Sequence, residues 1–456
     1  MTTIRSTGMP RTSLLPAVAL GLGLMLPACN ILDVNNPNNL TEESVESPAA
    51  AAAVVNGALA ANARAIATQW LGYLIATDEI TWIGSRDAWG QLDQGFVSNP
   101  ANEFTDAAFP IIAQARWFAD RAVTIMDGHV TTATTATLPA MRRQQARAYL
   151  LAGTIYTIVG ETQQDFAFSD RQVGFAAVGP AQMSTVLDRA IQYLDDAVAF
   201  SQALNDAVLI DRSLAMRARA RHSRAMWDKI KPTVNTAQPL VSSPGAAADA
   251  TAVLARVADD WRYQMIYSSS TLSNYMASEI NSRGEQQFDT LSIVLVNSAA
   301  PKTILGVKLQ DPIDNVADPR IVTFMEEWKG GTNIGVAGPI YSALTLTSAS
   351  HMYLILAENA LAAGNIPDFT THINAVRSID DLTPWSGLPG QPSALDMLKH
   401  ERRAALFVTG VRLLDMYRFD IRDPLWHANS DVVERPGTLL PITCIEANSN
   451  PEIPDC

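Results

Sequence analysis

Apolar residues recur along this chain mainly at helical spacing. Residues 47–76 are dominated by alanine and read as one helix, and 104–126 follow with Ile112, Ala115, Phe118, Ala119, Ala122 and Ile125 on one face. Between residues 141 and 159 the inner positions are Ala146, Tyr149, Leu150, Gly153, Thr154 and Ile158; small residues there let two helices approach closely. The pattern returns at 181–204 (Leu187, Ala190, Ile191, Leu194, Ala197, Val198) and at 214–230 (Leu214, Ala218, Arg221, Ala225, Met226). It resumes at 348–363, 369–378 and 394–417. Helix pairs with small inner residues and short connections predict a mostly α, tetratricopeptide-like helical-repeat scaffold.

Three stretches break the pattern. Residues 77–102 carry Asp78, Glu79, Trp82, Arg86, Asp87, Trp89 and Asp93 with no clean period and read as a loop. Residues 231–248 are rich in Pro, Ser, Ala and Gly and read as a linker. From 267 to 348, short β-branched runs such as 291–296 alternate with turn residues, which predicts long irregular loops with a few short strands. The last residues, with Pro441, Pro451 and Pro454, read as coil.

The start of the chain sets the compartment. Arg5 and Arg11 precede an uncharged apolar run that ends in Leu26-Pro27-Ala28-Cys29. A basic start, a short apolar core and a small residue before the cut describe an export signal, and the run is too short and too rich in Gly and Pro for a comfortable membrane span. Leu26-Pro27-Ala28-Cys29 resembles a bacterial lipobox, so residues 1–28 are expected to be a lipoprotein signal peptide and Cys29 a fatty-acylated N-terminus. An acylated cysteine carrying several chains meets the requirement for stable anchoring. Residues 29–46, with Asn35, Asn36, Pro37, Asn38 and Asn39, read as a tether, and 47–456 as a single body. No later stretch reads as long and apolar enough to span a bilayer.

The net charge of −13 becomes −15 once residues 1–28 are removed, which disfavours nucleic acid as a partner. Besides Cys29 the only cysteines are Cys444 and Cys456, twelve apart, which form either a disulfide closing the C-terminal loop or two free thiols; no zinc-site spacing surrounds them. No HExxH, GxSxG, P-loop or GxGxxG occurs in the mature chain, so an enzyme, a metal and a cofactor are not expected. His129, His222, His351, His372, His400 and His427 are scattered and read as surface or capping residues. Asp78-Glu79 and Asp195-Asp196 read as solvated surface, because adjacent side chains diverge. Arg217, Arg219, Arg221 and Arg224 read as partners for acids on neighbouring helices.

Several segments resemble the SusD/RagB family of outer-membrane nutrient-uptake lipoproteins. Residues 353–360 (YLILAENA) with 373–377 (INAVR) look like a helix pair of that family, and 401–418 (ERRAALFVTGVRLLDMYR) is similar to its most specific signature. Leu440-Pro441-Ile442, Glu446 and Asn450-Pro451 lie near its closing motif, and Leu32-Asp33 with Asn36-Pro37 after Cys29 look like its start. Ala405, Thr409, Tyr417 and Phe419 depart from the signature, and residues 205–345 carry little of it. The resemblance implies a SusD-like fold with a helical part at about 47–235, a loop-rich ligand-facing part at about 236–347, and C-terminal helices at about 348–420 before a coil. It also implies capture of a nutrient, an oligosaccharide first of all, for a partner TonB-dependent (SusC-like) outer-membrane transporter, at the cell surface and without catalysis. The alternative is a cell-envelope helical-repeat adaptor that binds no nutrient.

Residues 401–418 read as scaffold: the apolar positions supply buried volume, Glu401 and Arg402 face charges on other helices, Gly410 turns the chain, and Arg412 and Asp415 lie three apart on one face. Sugars pack apolar C–H faces on aromatic rings and hydrogen-bond to flanking polar groups. Trp82, Arg86, Asp87, Trp89 and Asp93 supply that mixture within twelve residues, and Trp328, Asn333 and Tyr341 form a second cluster. These eight are the candidate ligand-binding residues.

Overall fold

The computed structural model describes residues 45–170, 173–289, 294–296, 302–329, 333–334 and 340–456. The expected signal peptide, Cys29, the expected tether up to residue 44 and the first part of the 291–296 run lie outside the described residues. Six helices build the N-terminal half: α1 (Ala51–Leu74), the short α2 (Asp87–Asp93), α3 (Glu103–Thr132), α4 (Leu138–Thr162), α5 (Ser184–Ala203) and α6 (Ala207–Ile230). Each of the long ones packs on its sequence neighbour, α1 on α3, α3 on α4, α4 on α5 and α5 on α6. Caps set the starts: Asn102 accepts from the amides of Phe104 and Thr105, and Asp206 from that of Leu209.

The approach of α4 to α5 depends on missing side chains. A Cβ at Gly153 would lie 2.4 Å from Leu194, and one at Gly160 would lie 2.6 Å from Leu187. Gly153→Leu is therefore expected to separate the pair and destabilise the protein by about 1–3 kcal/mol or more, read as a lower urea midpoint. A midpoint equal to that of the parent would contradict the packing.

α7 (Pro244–Leu254) begins inside the stretch expected to be a linker and runs past its end. Pro244 sits at the start of this helix, where its missing N–H costs nothing, so the residue that signalled a break in fact begins an element. α8 (Pro319–Lys329) likewise interrupts the expected irregular region. The C-terminal part adds α9 (Ala349–Ala362), α10 (Ile366–Ser378), α11 (Ala394–Ala405), α12 (Arg412–Arg418) and α13 (Cys444–Ser449). Residues 394–417 form two helices with the turn where Gly410 placed it, and both Val408 (φ 56°) and Gly410 (φ 81°) turn the chain left-handedly there. A Cβ on Gly410 would sit 2.5 Å from the Trp70 ring. The disulfide Cys444–Cys456 closes the C-terminus.

Strands are short. β1 (Ile80–Trp82) pairs antiparallel with β3 (Gln286–Phe288), Ile80 opposite Phe288. β2 (Arg262–Met265) pairs with β7 (Leu344–Ser348). β4 (Val294–Val296), β5 (Lys302–Val307) and β6 (Asn333–Ile334) make an antiparallel sheet in that order. So the region expected to be a loop at 77–102 contains a strand and a helix, ordered by a partner strand two hundred residues away. One further expectation changes: Pro48–Leu74 is long and apolar enough to cross a membrane. In this fold it is a core helix, with Val55, Ile66, Trp70, Leu71 and Leu74 fully buried and Asn62 donating to the Leu151 carbonyl.

Candidate functional site

The strongest polar feature is internal. Glu358 on α9 accepts from both Arg418 (Nη2, 3.0 Å; Nη1 also contacts it), from the Val241 amide (2.9 Å) and from His222 (3.2 Å). Asp415 bridges Arg418 (2.8 Å) and Arg402 (2.8 Å). Burial alone would raise the Glu358 carboxyl, but Arg418, His222 and Arg402 hold it well below the usual carboxylate range. Arg219 holds Glu161 through two bonds of 2.9 and 2.6 Å and donates to the Thr409 carbonyl (3.0 Å). Arg377 joins Asp311 (2.7 Å) to Glu401 (2.8 Å), and Arg320 joins Glu401 to Asp318 (2.7 Å). Asp311, His400 and Glu401 bring three metal-ligating atoms within 4.8 Å of one another, but the guanidinium groups of Arg377 and Arg320 already supply the positive charge those carboxylates need.

These contacts place the 401–418 motif in the scaffold and correct several expectations. Arg412 pairs with Asp78 (2.7 and 2.8 Å) rather than with Asp415. Asp78 and Glu79 are buried, not solvated. Burial opposes ionisation of Asp78, yet Arg412 and Arg403 hold it at about 2, whereas burial pushes Glu79 up to about 8. His222 and His351 are core residues rather than surface ones, and burial holds both rings below the ordinary histidine range. Arg217 and Arg221 share Asp195 and Asp249 and Arg224 takes Asp188, which is interhelical pairing from the α6 face, while Arg224 also pairs with Asp228 one turn on within α6.

The tryptophans do not form an open platform. Trp89 is 1% exposed and stacks on Phe104 with centroids 3.7 Å apart. Trp328 is 3% exposed and packs on Phe324 and Phe288. Trp82 is partly buried against Gly90, where a Cβ would lie 2.9 Å from its ring. Asp93 is buried, accepts from the Thr81 hydroxyl and the Trp82 amide (both 3.0 Å), and is pushed up to about 7 by burial. The apolar area of large rings drives them inward, and the same feature that suggested sugar stacking suits core packing.

What the surface does present is a smaller polar and aromatic group. Arg86 lies over the Phe104 ring (4.2 Å) and bonds Glu103 (2.5 Å), while Asp87 is exposed. The turn before α2 is held by Glu285, whose carboxylate accepts from the amides of Ser85 (3.1 Å) and Arg86 (3.3 Å). Tyr341 is 38% exposed, and its segment is tied to the helix beginning at Tyr275 by Asn274, which bonds the carbonyls of Ile340 and Ser342. Burial, then Glu279, pushes the Tyr275 hydroxyl up to about 12, while the nearby Arg283 and Arg86 oppose the shift. Thus the fold brings Arg86 and Arg283 near Tyr275 and ties the Tyr341 segment to Asn274, the residue that precedes it. Asn333 lies in β6, and its side chain lies outside the described residues. Tyr275, Arg283 and Glu285 escaped sequence reading because they sit in the aperiodic stretch.

No protein-family model matches the chain, and no curated protein matches it. Solved structures do. A SusD superfamily protein from Bacteroides fragilis aligns with a TM-score of 0.60 at 12% identity, over 89% of this chain and 99% of that one. Surface glycan-binding protein A from Bacteroides uniformis aligns at 0.57 and 12% identity, over 88% and 98%. A SusD-like carbohydrate binding protein from Bacteroides vulgatus aligns at 0.50 and 13% identity, over 82% and 83%. The fold is therefore SusD-like: mostly α, with paired helices and a few short strands.

Proposed function

We propose that this protein is a non-catalytic surface lipoprotein that captures a glycan and passes it to a TonB-dependent outer-membrane transporter of the SusC kind. The observation that carries this reading is the alignment of nearly the whole chain with SusD-like structures, among them a surface glycan-binding protein. In this reading residues 1–28 are the signal peptide, Cys29 carries the acyl chains, 29–46 form the tether, and 47–456 are the binding body. Ligand contact falls to the partly exposed Arg86 and Tyr275 and the exposed Asp87, Arg283 and Tyr341, with Trp82 at the edge. The charged and aromatic side chains there suit hydroxyl-rich ligands, and binding by such a shallow surface needs no chemistry from the protein.

A glycan array and fluorescence titration of the purified protein test the reading. Arg86→Ala and Tyr275→Ala are each expected to weaken the glycan found by about tenfold, roughly 1.4 kcal/mol, with an unchanged melting temperature. Absence of any glycan ligand, together with failure to capture a barrel-type transporter from detergent extracts, would overturn it. Globomycin is expected to block processing, and Cys29→Ala to release the protein from the membrane fraction.

A further inference from the structure

Hydrogen bonds to a single distant residue shape the turn that carries Arg86. The Glu285 carbonyl accepts from the amides of Ile83 (3.0 Å) and Gly84 (3.1 Å). Its carboxylate accepts from the amides of Ser85 (3.1 Å) and Arg86 (3.3 Å) and from the Ser85 hydroxyl (3.3 Å). Backbone amides gathered in this way form a concavity that binds anions, and here the anion is the protein's own. Gly84 allows the close approach: a Cβ there would lie 2.8 Å from the Glu285 Cα, a backbone atom that cannot swing aside. The Glu285 amide in turn donates to the Glu279 carbonyl (3.2 Å). One residue thus joins the Arg86 turn to the segment of Tyr275 and Arg283.

The charge around this surface has one sign in excess. Arg86 is paired with Glu103 (2.5 Å) and Arg283 with Glu279 (2.9 Å), so both guanidinium groups are already engaged. Asp87 and Glu285 add further acids, in a protein of net charge −13. A ligand carboxylate or sulfate meets no uncommitted cation among these groups and is repelled by the surplus acids. Sugar hydroxyls meet no such penalty, because each can both donate to a carboxylate and accept from a guanidinium.

On the reading above that this surface captures a glycan, we propose that Glu285 sets its specificity: its carboxylate fills the anion-binding concavity of the 83–86 turn and fixes Arg86 in place, so that the surface accepts uncharged glycans and rejects acidic ones.

The glycan array on the full-length protein is the first test, and every glycan bound is expected to be uncharged. An acidic glycan bound as tightly as any neutral one overturns the proposal and leaves glycan capture standing, whereas an array with no ligand overturns both. Calorimetry with hexagalacturonate and with the neutral glycan identified on the array is the second. Glu285→Ala empties the concavity. It is expected to bind hexagalacturonate about tenfold more tightly than the parent, with an affinity that falls as salt is raised, and the neutral glycan about tenfold more weakly. Glu285→Gln keeps an oxygen for the amides of Ser85 and Arg86, and is expected to recover most of the parent's affinity for the neutral glycan without the gain for the acid. Should Glu285→Ala melt early, Ser85→Ala, at an exposed position, removes the hydroxyl bond alone and is expected to weaken the neutral glycan by a smaller factor. Parent-like binding of both probes by Glu285→Ala, or a gain for hexagalacturonate in Glu285→Gln as large as in Glu285→Ala, overturns the proposal.

Discussion

Glu358→Ala is expected to cost about 3–5 kcal/mol of stability, enough to leave little folded protein in a marginally stable domain. The carboxylate is fully buried and receives Arg418, Arg402, His222 and the Val241 amide. Removing it leaves Arg418 and Arg402 with only Asp415 between them, in a region where water cannot reach either guanidinium. The loss comes from the charges left behind rather than from the strength of any one contact. Urea unfolding followed by circular dichroism reads the effect, and a variant within 1 kcal/mol of the parent would refute it. Ala on the exposed partner of a surface pair, Glu327, supplies the contrast: its pair with Arg262 is solvent-screened, and a change below about 1 kcal/mol is expected.

The second large effect is on pH dependence. Glu79 and Asp93 are buried with folded values of about 8 and about 7, against ordinary values of 4.5 and 3.8. Both are raised, so between these limits the folded protein holds protons that the unfolded chain has released. Stability must then fall as pH rises, by up to about 1.4 kcal/mol per pH unit for each group between about pH 5 and 7. Asp78 runs the other way. Held at about 2 by Arg412 and Arg403 against the cost of burial, it contributes stability above its ordinary value that is lost as pH drops from about 4 towards 2. Greatest stability is expected near pH 5. Glu79→Gln mimics the protonated acid and is expected to change little at pH 5 and to stabilise the protein at pH 8 by about 1–3 kcal/mol. Stability that rises steadily from pH 5 to 8 in the parent would show that Glu79 and Asp93 ionise normally and are solvated.

The carboxylate pair 78–79 shows how local reasoning fails. As neighbours in sequence they diverge, and nothing nearby neutralises them, so the surface is the sensible expectation. The two arginines that rescue Asp78 come from 403 and 412, more than three hundred residues on. The tryptophans teach the same lesson: their density in an aperiodic stretch marks importance without saying whether the rings face ligand or core. The partners Phe104 and Phe288 settle that for Trp89 and Trp328.

The helices were legible because their cause is local. Alanine-rich stretches, periodic apolar faces and small residues at 153 and 160 dictate paired α-elements whatever else surrounds them, and the resemblance in 401–418 was enough to name the fold. Which residues meet was not legible. The strand at Ile80–Trp82 exists because Gln286–Phe288 lies beside it, and the group Arg86, Tyr275 and Tyr341 exists because Asn274 and Glu285 tie three distant segments together. Periodicity is written in neighbours three and four residues apart, while burial, charge pairing and binding surfaces depend on contacts whose sequence separation leaves no trace in the pattern.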